Sequence, residues 1–513
     1  MSENLNQGGI VLGMDRRLKK LYYNGDDTHT LCIGATRTGK SRTVVLPSIA
    51  VQALAGESMV CSDPKGELYL YTYPFLKELG YDVIALDFKN PQKSTRYNLL
   101  QTIIDAVERK ELSKANKNVF DLVESLVGEA KGERIWNDGE KSIIASTILA
   151  VVYDNQKSPQ YQNLTNVYHF ISNMCKMGKT MPLDKYIASL PADHPARALI
   201  AASEVAPSKT RGSFYTAALA TLRLFTDVNI YNITKQSDFY LQDIGAKKTA
   251  IFLILPDDNT TYYSIATLFV HQMYTALVEQ ADRRGGRLQQ SVNFNLDEFG
   301  NFAKIPDFSS KLTVGGSRGI RFNLFIQDIG QLEREDKYGR NDTRTILGNC
   351  TTWIYLYSDD PETRKLLSEK LGEYTCMSNS QSSSYQSGSF GSRGSESASC
   401  NLISRKLLTP DEIGRLQRPY QIVTSRDYPA MMQMPDLSKT VFNEMFGLGD
   451  REHNRLVRIQ REQARPVINN DSKVELWRIW DRYTCDENEP GENTIPHFLD
   501  GANKKGKEVL YRE

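Results

Sequence analysis

A phosphate-binding loop constrains this chain more than any other stretch. Residues 31–46 read LCIGATRTGKSRTVVL, and Gly34, Ala35, Thr36, Arg37, Thr38, Gly39, Lys40 and Ser41 spell G-x-x-x-x-G-K-S between an apolar run and a helix-compatible segment. Such a loop turns successive backbone N–H groups toward one point, opens a helix whose N-terminal dipole favours anions, and needs glycine where phosphate approaches closely. Lys40 is placed to hold the β- and γ-phosphates of a nucleotide, and Ser41 to ligate Mg²⁺. The fold must supply a strand before the loop and a helix after it.

A loop that hydrolyses its nucleotide needs a carboxylate for the metal and a second group for the water. Residues 292–299, VNFNLDEF, form a short apolar strand ending in Asp297 and Glu298, so Asp297 can complete the Mg²⁺ shell while Glu298 positions or deprotonates water. Gln327 ends the strand-like run from Ile320 to Asp328, where it is either a strand-end hydrogen-bonding residue or a γ-phosphate sensor. Arg318 sits in the turn before that strand, at its opposite end. It is either a solvated cation or a finger that reaches a neighbour's nucleotide in a ring.

Composition narrows the class. The chain has 513 residues, enough for two or three domains, and its net charge of +1 provides no global field for nucleic acid. DNA contact must then come from local patches or from assembly. The seven cysteines lack CxxC or CxxH spacing, which argues against zinc and against a disulfide framework and fits a reducing setting. No run approaches the roughly 18 to 20 apolar residues of a membrane-spanning helix.

Further along, the runs at 58–63 and 82–87 alternate with helical text, the start of an α/β unit whose strand ends, including Asp63-Pro64-Lys65-Gly66-Glu67, should lie beside the phosphate loop. From about residue 105 to 215 the periodicity is helical, an all-helical insertion in which Trp136, Asn137 and Gly139 read as a turn and His169 and His194 as isolated surface or cap residues. Strand and helix alternation resumes and continues to about 434, so residues 1–104 and 216–434 form two parts of one nucleotide-binding domain. Within the second part, residues 378–399 are so rich in Ser and Gly that a flexible loop is expected. Residues 435–513 read as a peripheral helical extension and a mobile tail. In it Arg451, Arg455, Arg458, Arg461 and Arg465 share one helical face, either solvated or suited to phosphates or an acidic partner.

Together GATRTGKS, SDPKGELY, RYNLL, the NLDEFGNFAKIPDF run, GGSRGIRFNLFIQD and LLTPDEIGRL resemble the TraG-like coupling proteins of type IV secretion and conjugation, over roughly residues 8–430. The resemblance implies a RecA-like P-loop ATPase with an inserted all-helical, substrate-docking domain. It implies ATP and Mg²⁺ as cofactors, a homo-hexameric ring at the cytoplasmic, inner face of the membrane, and delivery of relaxase-bound single-stranded DNA, or protein, to the secretion channel. Carried over by motif, Lys40 and Ser41 bind nucleotide, Asp297 and Glu298 serve metal and water, Gln327 is the sensor and Arg318 acts across the ring interface. Typical members begin with transmembrane helices. This sequence shows none, so membrane association is expected only through a partner or a missing anchor. The rival expectations are a DNA-translocating ring unconnected to secretion and a nucleotide-gated adaptor that does not hydrolyse.

Overall fold

The computed structural model describes residues 5–15, 17, 20–129, 133–176, 181–256, 258–386, 393–426, 429–469 and 473–483. Two short strands, β1 (Ile10–Asp15) and β2 (Lys20–Asn24), form an antiparallel hairpin ahead of the main sheet. The strands β3 (Thr30–Gly34), β4 (Ser58–Asp63), β5 (Asp82–Asp87), β6 (Thr249–Ile254), β7 (Val292–Leu296), β8 (Ile320–Ile326) and β9 (Thr352–Tyr357) are its parallel part. A separate ribbon pairs β10 (Glu373–Gln386) with β11 (Arg393–Lys406), and β12 (Tyr420–Thr424) and β13 (Ala430–Gln433) add an antiparallel edge. The order across the nine-stranded sheet is β13-β12-β9-β3-β8-β7-β4-β6-β5. The phosphate-loop strand β3 is central, flanked by β9 and β8. This is the α/β class expected from the alternating text.

Helices cover both faces, so β3, β4, β6, β7 and β8 are buried along their whole length. Alternation along β3 sends Leu31 and Ile33 into one hydrophobic core and Cys32 into the other. The second core receives the helix Leu46–Leu54 that follows the phosphate loop.

Between β5 and β6 the chain is helical, from Gln101–Glu108 through Leu112–Val127, Arg134–Asp154, Leu164–Met174, Pro182–Ser189, Pro195–Glu204 and Ser208–Leu222 to Val228–Thr234. Trp136, Asn137 and Gly139, read as a turn, instead lie inside the helix Arg134–Asp154. Gly139 is there because of close packing: a Cβ at that position would meet the Phe214 ring at 2.5 Å. No helix among the described residues is long and apolar enough to cross a membrane.

The C-terminal half departs from expectation in two places. Residues 373–386 and 393–406 pair in fourteen registers, from Glu373↔Lys406 to Gln386↔Arg393, where a loop was expected over 378–399. Low hydrophobicity argues against burial, but an antiparallel ladder satisfies its backbone groups without burying anything. Residues 387–392 lie outside the described residues. The segment after β13, expected to be peripheral, contributes Leu437, Phe442, Phe446 and Val457 to the second core. Its helix Arg451–Ala464 leaves Arg451, Arg455 and Arg458 exposed but turns Arg461 toward the domain. Arg461 donates to the carbonyls of Leu70, Tyr71 and Phe446, Arg458 pairs with Glu67, and Arg465, just past the helix, pairs with buried Asp87. Spacing identified a face but not what the face packs on. The tail expected to be mobile lies, from residue 484, outside the described residues.

Candidate functional site

The phosphate loop follows β3 directly, and its geometry is that of an anion cradle. Arg37 has φ 66° and Gly39 φ 89°, two left-handed residues that reverse the chain before the helix begins at Ser41. A side chain at Gly39 would be strained by that φ and would also meet Arg418 Nη2 at 2.8 Å. Arg418 donates to the carbonyl of Arg37, so a guanidinium from the segment before β12 lies over the loop. Lys40 is buried and its Nζ lies 3.5 Å from both the Ile326 carbonyl at the end of β8 and Glu298 Oε1.

Strand ends deliver the remaining groups. Because β7 and β8 are neighbours in register, Asp297, Glu298 and Gln327 emerge side by side at the carboxyl edge of the sheet next to the loop. Ser41 Oγ donates to Asp297 Oδ2 at 3.0 Å, and the Glu298 N–H donates to Asp297 Oδ1 at 3.0 Å. Gln327 Nε2 donates to Glu298 Oε2 at 2.9 Å, while Thr36 Oγ1 donates to Gln327 Oε1 at 3.3 Å. Glu298 is itself held in the left-handed region, with φ 51° and ψ 42°, a conformation that costs a non-glycine residue about 1 kcal/mol or more. That backbone turn aims its carboxylate back at Lys40 and Gln327. Burial pushes the Asp297 carboxyl upward, Lys40 opposes the shift and Glu298 reinforces it. A hard cation would relieve this, and the hydroxyl and carboxylate oxygens of Ser41 and Asp297, 3.0 Å apart, are the donor types it takes.

One predicted residue stands apart. Arg318 lies at the far end of β8, a seven-residue strand that at about 3.3 Å per residue sets it roughly 23 Å from the edge where Gln327 emerges. There its Nη2 pairs with Asp282 at 3.0 Å. Arg318 therefore cannot serve the phosphate loop of its own chain.

Around this edge lie the strand-end Asp63, expected near the loop, and further groups that local sequence did not single out. Asp63, at the end of β4 beside Asp297, is 1 % exposed and accepts the Tyr69 N–H at 2.8 Å. Burial pushes its carboxyl to about 7, with Glu67 and Asp297 adding to the shift. On the opposite side of the loop, Thr36, Tyr357, Leu416, Arg418, Pro419 and Tyr420 are among the residues lining a cleft of ≈ 210 Å³. Arg42 grips Asp436 through two bonds of 2.8 and 2.7 Å, tying the loop helix to the segment beyond β13. The Arg42 and Arg418 pairings join residues hundreds of positions apart, which local text does not show.

A sequence profile described as "Type IV secretory system Conjugative DNA transfer" matches residues 4–434. The VirD4 protein of Rhizobium rhizogenes is 25 % identical over 365 residues, covering 70 % of this chain and 51 % of that protein. A conjugal transfer protein TraG of Escherichia coli is 25 % identical over 429 residues, covering 80 % of this chain and 66 % of TraG. The chain thus spans about half the length of VirD4. In fold it is similar to the unbound bacterial conjugative coupling protein TrwBdeltaN70, with TM-score 0.59, 17 % identity, and coverage of 86 % of this chain and 91 % of that chain. It is likewise similar to TrwB in complex with ADP and Mg²⁺, with TM-score 0.58, 17 % identity, and coverage of 80 % and 85 %. With the profile matched across its nucleotide-loop domain and helical insertion, the chain belongs to the type IV secretory system conjugative DNA transfer family.

Proposed function

We propose that this chain is the ATP-hydrolysing motor of a conjugative coupling protein, which recruits relaxase-bound single-stranded DNA, or a protein substrate, and passes it to a type IV secretion channel. The observation that carries this reading is the convergence of Lys40, Ser41, Asp297, Glu298 and Gln327 on one strand edge, inside a chain of this family. Bound Mg-ATP would supply a γ-phosphoryl group for transfer to water and a cation to neutralise developing charge. The loop amides and Lys40 hold the phosphates, and Ser41 and Asp297 hold the cation. Glu298 orients water and accepts its proton. Gln327, hydrogen-bonded to Glu298 and to Thr36 of the loop, links the state of the site to β8. Arg318 acts on a neighbour's nucleotide in a homo-hexameric ring at the inner face of the membrane, reached through a partner or an anchor. Residues 105–215 form the substrate-docking domain.

Glu298→Gln should keep nucleotide binding and lose turnover, because the amide preserves hydrogen bonding but cannot take a proton. Lys40→Ala should lose both. A fully active Glu298→Gln protein would sink the assignment. The rival of a non-hydrolysing adaptor predicts no turnover in any variant.

A further inference from the structure

The last described residues, 473–483, return to the helical insertion and lie on it as a linear segment, with a single turn at Ile479–Arg482. They are held through main chain as well as side chains. Asn166, 1 % exposed on the helix Leu164–Met174, donates from Nδ2 to the Glu475 carbonyl at 3.1 Å and accepts the Trp477 N–H on Oδ1 at 2.9 Å. Tyr231, on the helix Val228–Thr234, accepts the Glu475 N–H on its hydroxyl at 3.2 Å. Three main-chain groups of residues 475–477, two donors and one acceptor, are satisfied by side chains of the helical region between β5 and β6, as a neighbouring strand would satisfy them.

Side-chain contacts add an anchor. The Trp477 ring stacks on Phe170, one turn after Asn166, with centroids 5.7 Å apart and planes at 16°. Tyr186 meets Phe170 edge-on at 5.3 Å and Tyr483 at 5.9 Å, and the Tyr483 hydroxyl lies 3.1 Å from Ser189 Oγ. The receiving residues are held in place by bonds of their own. Asn166 Nδ2 also donates to Asn163 Oδ1 at 3.2 Å, and the Tyr186 hydroxyl donates to Asp154 at 2.7 Å. Asn166, Phe170, Tyr186 and Tyr231 are buried on helices, whereas most of residues 473–483 stay partly or fully exposed. A receptor on helices that reads main chain through a carboxamide, stacks Trp477 and also takes Ile479, Trp480 and Tyr483 against its core has the anatomy of a peptide-binding groove.

We propose that the helical region between β5 and β6 carries a peptide-acceptor groove, built on Asn166, Phe170, Tyr186 and Tyr231, which residues 473–483 fill in cis and which a partner protein's tryptophan-bearing linear segment enters when this strap lifts. Main-chain recognition makes the groove tolerant of sequence before the tryptophan, so its ligand class is a linear peptide with a tryptophan anchor followed by apolar and aromatic residues. The strap is then an autoinhibitory ligand that competes with the partner. Its use for cargo rests on the coupling-protein reading, but the groove does not, and peptide binding and ATP turnover are measured separately.

The test uses a fluorescein-labelled peptide with the sequence KVELWRIWDRY of residues 473–483, titrated by anisotropy against the full chain. Trp477→Ala and Glu475→Pro each vacate the groove by different means, so one misfolded variant does not end the test. Both should bind the peptide at least tenfold more tightly than the wild-type chain, whose own strap competes. Adding Asn166→Ala to either should weaken binding at least tenfold, since two hydrogen bonds at about 1 kcal/mol each are lost. A peptide with alanine in place of its first tryptophan should not bind. Absence of saturable binding to both folded, vacated chains, or binding indifferent to Asn166→Ala, overturns the proposal even if ATP turnover is normal.

Discussion

Arg465 offers a direct test of how the C-terminal segment is held. Its Nη1 lies 2.6 Å from Asp87 Oδ2, with the two side chains 7 % and 0 % exposed, and its guanidinium sits 4.8 Å from the centre of the Tyr69 ring. Its Nη2 also donates to the Lys93 carbonyl at 3.2 Å. Replacing Arg465 by leucine leaves the Asp87 charge buried without its cation, and breaking such a pair costs about 3 to 5 kcal/mol. The lower end applies here, because Asp87 Oδ1 still accepts the N–H groups of Lys89 and Asn90 at 2.9 and 2.8 Å. The expectation is therefore a loss of about 3 kcal/mol. In urea unfolding followed by tryptophan fluorescence, a slope of about 3 kcal/mol/M turns this into a midpoint about 1 M lower. Adding Asp87→Asn should return more than half of it by removing the stranded charge. A loss under about 0.5 kcal/mol, or a double variant no better than the single, would refute the view that a buried charge fastens this segment.

Three other variants probe separate claims. Arg318→Ala removes only a partly exposed pair with Asp282, so the chain should stay folded; turnover should fall roughly a thousandfold in the assembled ring, with no change in a monomer at high dilution. Equal loss in a proven monomer would contradict action across subunits. Asp63 has its carboxyl raised to about 7, so the stability of its neutral form is complete below the unfolded value of 3.8 and is lost as pH rises through the folded one. Asp63→Asn should remove that slope, and thermal midpoints of the two proteins should diverge between about pH 4 and pH 7, with the variant favoured at the higher pH. Gly139→Ala would place Cβ 2.5 Å from the Phe214 ring and should cost about 1 to 3 kcal/mol by overpacking, read as a lower melting temperature.

The candidate site was legible where function concentrates in short, contiguous text. A phosphate loop announces its own strand and helix, and Asp297, Glu298 and Gln327 each end an apolar run, so knowing that strand ends converge is enough to bring them together. The helix start at Pro410 is local text of the same kind, and the structure adds a capping box between Thr409 and Glu412. Contacts that join distant segments were not. Arg418 over the phosphate loop, Asp436 on Arg42 and Arg465 on Asp87 depend on where whole elements cross, and periodicity along one helix cannot say which way its arginines face.

The Ser-rich ribbon shows a different shortfall. Composition predicts how much surface a segment can bury, and residues 378–399 can bury little. Backbone pairing is a separate resource, and Ser380 and Ser399, paired across the ribbon, also share a hydroxyl contact of 2.7 Å. Likewise, nothing in the local text assigns a role to Trp477 of the C-terminal strap. Only its stacking on Phe170 and the paired bonds from Asn166 give it a role.

The account rests on an ATP-driven motor that works as an assembly. ATP hydrolysis by the purified chain, measured across protein concentration with and without single-stranded DNA and with Glu298→Gln as the blank, addresses this most directly. The account predicts a specific rate that climbs with concentration, climbs further with DNA, and vanishes in the variant. A rate per chain that ignores both concentration and DNA, or one that Glu298→Gln retains, would contradict it.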